Sequence, residues 1–310
     1  MKNNITTYEK TKKFVDDIKS YSKIPPIISI DQEGGNVQRL LYLQDYPVTE
    51  IPYMYDVGKT GDEKLAYEIG TVMAEELRTI GVNVCYAPVL DIYSNPNNPV
   101  IGKRSFGEDK ELVSKMALSL GRGLEDSNVI PVYKHFPGHG DTSVDSHYDL
   151  PVLSKSYDDI QKEELYPFQQ AIQNGAKIIM IGHLSFPEII GDDTPTSLSR
   201  KMITDILKKE MGYDGLVITD ALNMKALTDN YSYEQIYKMA IDAGVDLLLM
   251  PDGSEEAIQI IKESISEERI DESVYKILQF KMKYLKEDHS LDVSYLGSEE
   301  HQKVIQKVGG

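Results

Sequence analysis

The run Val129-Ile130-Pro131-Val132-Tyr133, followed at once by Lys134-His135-Phe136-Pro137-Gly138-His139-Gly140-Asp141, decides how the rest of the chain is read. An uncharged, mostly apolar stretch of this length suits a buried strand, and charge begins only where the strand would end. Pro137, Gly138 and Gly140 break any helix or strand that could continue, and imidazoles and carboxylates are costly to bury unless paired. Three imidazoles (His135, His139, His147) and two carboxylates (Asp141, Asp145) therefore crowd one glycine-rich loop. A stable core gains nothing from such a cluster, so it has the composition of an active-site loop.

Working outward, apolar runs followed by helical patterns recur along the chain. Strands are predicted over residues 26–30, 83–89, 129–133, 177–181, 216–219 and 246–250, and amphipathic helices over 62–79, 111–125, 157–174, 199–211 and 233–243. Gly81, Gly175, Gly212 and Gly244 each stand close behind a predicted helix, the usual place for a stop. Strands alternating with helices argue for a parallel sheet wrapped by helices, an α/β fold of the TIM-type (β/α)8-like barrel class. Polar residues sit where the strands end: Asp31, Asp91, Lys134 with His135, His183 and Asp220. In a barrel those ends converge on one rim, where active sites are built. Asp91, taken singly, reads as a cap for a following helix.

Composition narrows the partners. With 310 residues and 41% hydrophobic content the chain can bury a large core. A formal charge of −17 repels phosphate backbones and anionic lipid, which argues against nucleic acid. The single cysteine, Cys85, lies in the run Val82-Asn83-Val84-Cys85-Tyr86-Ala87 and reads as a buried strand residue, and no disulfide framework is possible. Residues 1–20 lack the apolar core of a signal peptide and no run suggests a membrane span, so a cytoplasmic location is expected, with secretion as the alternative because the N-terminus looks truncated. The barrel is expected over residues 1–287, with a polar tail or linker over 288–310.

Three motifs, Asp31-Gln32-Glu33-Gly34-Gly35 with Val37-Gln38-Arg39, the Lys134–Gly140 loop with Asp145-Ser146-His147, and Ile218-Thr219-Asp220-Ala221-Leu222, resemble bacterial β-N-acetylglucosaminidases of glycoside hydrolase family 3. The Asp-Ser-His element is the specific part, since the family's β-glucosidase branch lacks that loop. The resemblance implies an enzyme, a retaining exo-β-N-acetylglucosaminidase, without cofactor or metal. It implies Asp220 as the nucleophile that forms a covalent glycosyl-enzyme, with Asp145 and His147 as an acid/base dyad in place of the more usual second carboxyl. An imidazole of ordinary pKa about 6.5 can hold a proton for the leaving oxygen and later take one from water. Substrate-binding roles fall to Asp31, Arg39, Arg104, Lys134 and His135, whereas His183 reads as a structural rim residue. The implied substrates carry non-reducing terminal GlcNAc, either peptidoglycan fragments (muropeptides) or chitooligosaccharides.

Relatives of this kind have a first strand ahead of the segment matching Asn4-Ile5, so the barrel is expected to lack that strand here. The end at Gly309-Gly310 falls where larger relatives continue. The chain has no tryptophan, so any stacking platform for sugar must be Tyr, Phe or Met. Two other function classes use the same residues: a metal-dependent barrel hydrolase with His135, His139, Asp141, Asp145 and His147 as ligands, and a non-catalytic sugar-binding barrel. The first leaves Asp31 and Asp220 unexplained, and the second has no need of Asp220 or the Asp145/His147 pair.

Overall fold

A computed structural model describes residues 4–142, 149–287 and 289–309. In chain order the strands are β1 (Ser29–Ile30), β2 (Gln32–Gly34), β3 (Val37–Gln38), β4 (Val84–Cys85), β5 (Ile130–Phe136), β6 (Ile178–Ile181) and β7 (Leu216–Thr219). β1, β4, β5, β6 and β7 lie side by side in that order, every neighbouring pair parallel, while β2 and β3 form a separate antiparallel pair. Parallel neighbours in chain order with helices in the connections are the product of repeated crossover units.

The sheet curls into a half-barrel. The strand expected over 246–250 is reduced to a single bridge, Ile218 with Leu247, although Leu222 N still donates to Leu249 O at 3.0 Å. Met250 has a φ of 51°, and Pro251 follows it, so extended pairing cannot continue past Leu249. Among the described residues nothing pairs β1 with this stretch. The barrel expected from sequence is thus seen as a curled parallel sheet that is open on one side.

Alternation along the strands gives the sheet two apolar faces. Val84, Ile130, Val132, Ile178, Met180, Leu216 and Ile218 fill the inner face, with Phe280 and Leu285 packed beneath them. Cys85, Tyr133, Ile179, Ile181 and Val217 point outward to a larger core under the helices. Cutting Met180 or Ile218 back to Ala would cost about 2–5 kcal/mol, the usual range for a buried aliphatic truncation. Cys85 behaves as expected, with its thiol fully buried and pushed up by desolvation.

The helices follow the predicted limits where capping signals are local. Asp62 accepts from Lys64 N and Leu65 N to start Glu63–Thr79, and Gly244, at φ 111°, ends Tyr233–Ala243. The helix expected over 157–174 is broken at Glu163 and Glu164 into Tyr157–Lys162 and Leu165–Gln173, and Lys201–Glu210 winds as a π-helix. The C-terminal stretch does not hang free as a polar tail. Its helix Glu299–Gln306 lies on Glu63–Thr79, where His301 is held by Glu75 at 2.8 Å and Glu76 at 3.2 Å.

Candidate active site

Side chains of one parity on a strand share a face, and the inner face continues past each strand's carboxyl end. Asp31 follows Ile27 and Ser29 in that parity, Lys134 follows Ile130 and Val132, and Asp220 follows Leu216 and Ile218. Lys134 Nζ reaches Asp31 Oδ1 at 3.1 Å and Glu33 Oε1 at 2.6 Å. Arg104, from the turn Gly102–Arg104, grips the same Glu33 with both arms of its guanidinium, Nε to Oε2 at 2.8 Å and Nη2 to Oε1 at 2.9 Å. Burial would raise the Glu33 carboxyl, but Arg104 and Lys134 outweigh it and hold the group far below the ordinary carboxylate range. Burial would likewise lower Lys134, yet Glu33 and Asp31 keep its pKa raised. Side-chain exposure separates the roles: Glu33 is sealed at 2%, whereas Asp31 at 19% and Arg39 at 27% are partly open to solvent. Arg39 stands 3.8 Å from Asp31 and donates to Tyr42 Oη at 3.4 Å.

His135 is fixed from behind. Its Nδ1 lies 2.7 Å from Asp91 Oδ2, and Asp91 Oδ1 accepts the main-chain N–H groups of His135 at 3.3 Å and His139 at 2.7 Å. Asp91 is completely buried, which would raise its carboxyl, but His135 and His139 hold it below the usual range. The contact with Asp91 fixes the ring's orientation, and its other nitrogen, Nε2, lies 3.4 Å from Arg104 Nη2. Asp91 is therefore no helix cap, and its partners lie more than 40 residues away in sequence. His139 is buried, and desolvation takes its pKa down to about 4; its Nδ1 meets Thr142 Oγ1 at 2.9 Å.

Asp220 leaves β7 with its N–H on Ile181 O at 2.8 Å. Among the described residues its carboxylate accepts one hydrogen bond, from Ala221 N at 2.7 Å. Burial acts to raise this carboxyl, and His135, His183, the Ala221 N–H and Lys134 together bring it below the ordinary value. His183, read from the sequence as a rim residue, stands near enough to Asp220 to help lower its carboxyl. Its Nδ1 meets Ser197 Oγ at 2.8 Å and its Nε2 meets Ala221 O at 3.0 Å, so it supports the backbone turn that presents Asp220.

The structure thus brings Asp31, Arg39, Arg104, Lys134, His135 and Asp220 to one rim. Asp145 and His147 lie outside the described residues. The turn leading to them allows little freedom, since a Cβ on Gly140 would fall 1.5 Å from Ile92 O. Sequence reading passes over Glu33 and Asp91 as site residues and gives His139 a place only in the alternative metal set. Glu33 had a signal, a carboxylate inside the quoted motif, but only the fold shows that it pairs with two cations. The described members of the alternative metal set are otherwise engaged: His135 with Asp91 and beside a guanidinium, His139 with Thr142, and Asp141 with Lys155. Among the described residues no three His, Cys, Asp or Glu side chains are grouped to hold a metal ion.

Residues 2–280 match the glycosyl hydrolase family 3 N-terminal domain. The chain belongs to this family. It is 32% identical over 315 residues to "Beta-hexosaminidase A" of Pseudoalteromonas piscicida, covering 92% of this chain and 52% of that protein. It is 36% identical over 243 residues to a "Beta-hexosaminidase" of Nitrosomonas eutropha, covering 76% of this chain and 68% of the relative. The solved family 3 β-N-acetylglucosaminidase from Paenibacillus sp. str. FPU-7 superposes with a TM-score of 0.90 at 35% identity, covering 97% of this chain and 60% of that one. This family 3 chain therefore spans about half the length of the first of these relatives. Among the described residues no helix is long and apolar enough to cross a membrane.

Proposed function

We propose that this chain carries the catalytic site of a retaining exo-β-N-acetylglucosaminidase, built on a (β/α)8-like barrel, that removes non-reducing terminal β-linked GlcNAc. The observation that carries the reading is Asp220, a carboxylate held ionised at the end of β7 with one local hydrogen bond, on the rim that gathers Asp31, Arg39, Arg104, Lys134 and His135. Asp220 attacks the anomeric carbon and forms the glycosyl-enzyme. His147, oriented by Asp145, gives its proton to the leaving oxygen and then accepts one from the water that releases the sugar. The buried Glu33 bridge locks Arg104 and Lys134 in place, so that they meet sugar oxygens as fixed donors. Asp31, at the open edge, accepts from ring hydroxyls. Asp31 and Glu33 balance Lys134 and Arg104 in formal charge, which suits a neutral glycone. Peptidoglycan fragments with GlcNAc on MurNAc or its anhydro form are the proposed substrates, with chitooligosaccharides as the alternative supply of the same glycone.

The test is release of the chromophore from an aryl β-N-acetylglucosaminide measured beside the matching β-glucoside. Preferential turnover of the N-acetylated sugar with retained configuration is expected. Preference for the glucoside, or inversion at the anomeric carbon, refutes the proposal.

A further inference from the structure

Lys155 is the side chain that ties together the two flanks of the 143–148 segment. On one flank, Asn98 Nδ2 donates to His139 O at 2.8 Å, Gly140 O at 3.0 Å and Thr142 Oγ1 at 3.1 Å, while Asn95 Nδ2 donates to Thr142 O at 3.2 Å. On the other, Ser185 N donates to Pro151 O at 2.8 Å and Leu153 N to Ser185 O at 2.9 Å, which fixes residues 151–153 along the chain that leaves β6. Lys155 joins them, with Nζ 2.7 Å from Asp141 Oδ2 on the first flank and 2.5 Å from Glu164 Oε1 at the start of Leu165–Gln173. Glu164 is 6% exposed and among the described residues its Oε2 has no hydrogen-bond partner, so within that set Lys155 supplies the charge balance for this buried carboxylate. The carbon chain of Glu164 also lies against Gly138, where a Cβ would come within 2.7 Å of Glu164 Cβ. A shift of Glu164 would therefore carry the loop base with it.

We infer that Lys155 is a positioning residue for the acid/base step: by bridging Asp141 and Glu164 it sets the distance between the two ends of the chain segment that carries Asp145 and His147. The inference rests on the acid/base reading of that segment. Among the described residues Lys155 touches no reacting group, and its effect is carried by geometry, where a misplacement of about 1 Å can cost roughly 10²-fold in rate.

The experiment compares Lys155→Met, Lys155→Arg, Asp141→Asn and His147→Ala. Each is assayed for kcat and KM on a GlcNAc disaccharide and on an aryl β-N-acetylglucosaminide with a good leaving group. Lys155→Met is expected to lower kcat on the disaccharide by about 10²-fold and to leave the aryl substrate and both KM values largely unchanged. Lys155→Arg should restore most of the loss, since a guanidinium can span both carboxylates. Asp141→Asn, which cuts the bridge between the flanks and keeps the Lys155–Glu164 pair, should show the same selectivity even where Lys155→Met fails to fold. Equal losses on the two substrates, or none, in both Lys155→Met and Asp141→Asn overturn the inference. If His147→Ala shows the leaving-group selectivity and these variants do not, the positioning role alone falls. If His147→Ala itself lacks it, the acid/base reading falls and takes the positioning role with it.

Discussion

Replacing Glu33 with Gln tests the electrostatic frame of the site. Glu33 is sealed from solvent and receives three charged hydrogen bonds, two from Arg104 and one from Lys134. Glutamine keeps one acceptor oxygen but turns an amide N–H toward one of those donors and removes the negative charge. Lys134 keeps Asp31 at 3.1 Å, and Arg104 loses its carboxylate altogether. Removing one partner from a buried ion pair costs about 3–5 kcal/mol, because the remaining charge is left uncompensated. At roughly 2–4 °C per kcal/mol for a chain somewhat smaller than this one, Tm should fall by about 6–20 °C. The sign with pH follows from linkage. A carboxyl whose folded pKa is depressed contributes stability that is present above its unfolded pKa, about 4.3 for Glu, and is lost as pH falls toward the folded value. The wild-type and Glu33→Gln melting curves should therefore stay far apart from pH 6 to 8 and draw together below about pH 4. Thermal melts followed by circular dichroism across that range give the measurement. A difference below about 1 kcal/mol at neutral pH, or one that does not shrink in acid, would refute the account of Glu33 as the anion that organises two buried cations.

Asp220→Asn should abolish turnover, with a loss of several orders of magnitude in kcat in a variant that still melts cooperatively; near-wild-type activity in a folded variant removes Asp220 as nucleophile. His147→Ala should harm hydrolysis of natural disaccharides far more than that of aryl glycosides with good leaving groups, and Asp145→Ala should show the same pattern more mildly; equal losses on both substrates would leave His147 as a binding residue. Dialysis against a strong chelator should leave activity unchanged, and loss restored by a divalent ion would move the histidine loop to the metal-ligand reading.

Where the signal was local, sequence reading and structure agree. The stretch 216–219 is an uninterrupted apolar run ending in Asp220 and appears as β7 with those limits. The same kind of run at 246–250 yields only a bridge, because a left-handed Met250 ahead of Pro251 ends the extension, and composition alone does not show it. Asp91 shows the other limit. An aspartate after a strand has a common local use, capping, and nothing within reach along the chain reveals that it will hold a histidine from the next strand. Glu33 is the same case: its partners are 71 residues away at Arg104 and 101 away at Lys134, so its meaning exists only once β1 and β5 share a sheet. The break at Glu163 and Glu164 did have a signal in the sequence: Pro167 has no N–H to offer the carbonyl of Glu163 and is tolerated only in the first turn of a helix, so the winding stops and starts again at Leu165.

The docking of the last helix bears on where such a chain can be cut. Glu76, buried in Glu63–Thr79, accepts from Thr49 N at 3.1 Å, Gly297 N at 2.8 Å and His301 Nδ1 at 3.2 Å. An expression boundary drawn after residue 287, where the composition turns polar, would strip that carboxylate of two of its three donors. Thr49 leads two residues on to Ile51, whose N–H and carbonyl are both held by the Gln38 side chain beside Arg39. A trim that looks harmless on paper would thus loosen the wall behind the β2–β3 hairpin, at a distance of more than 200 residues along the sequence.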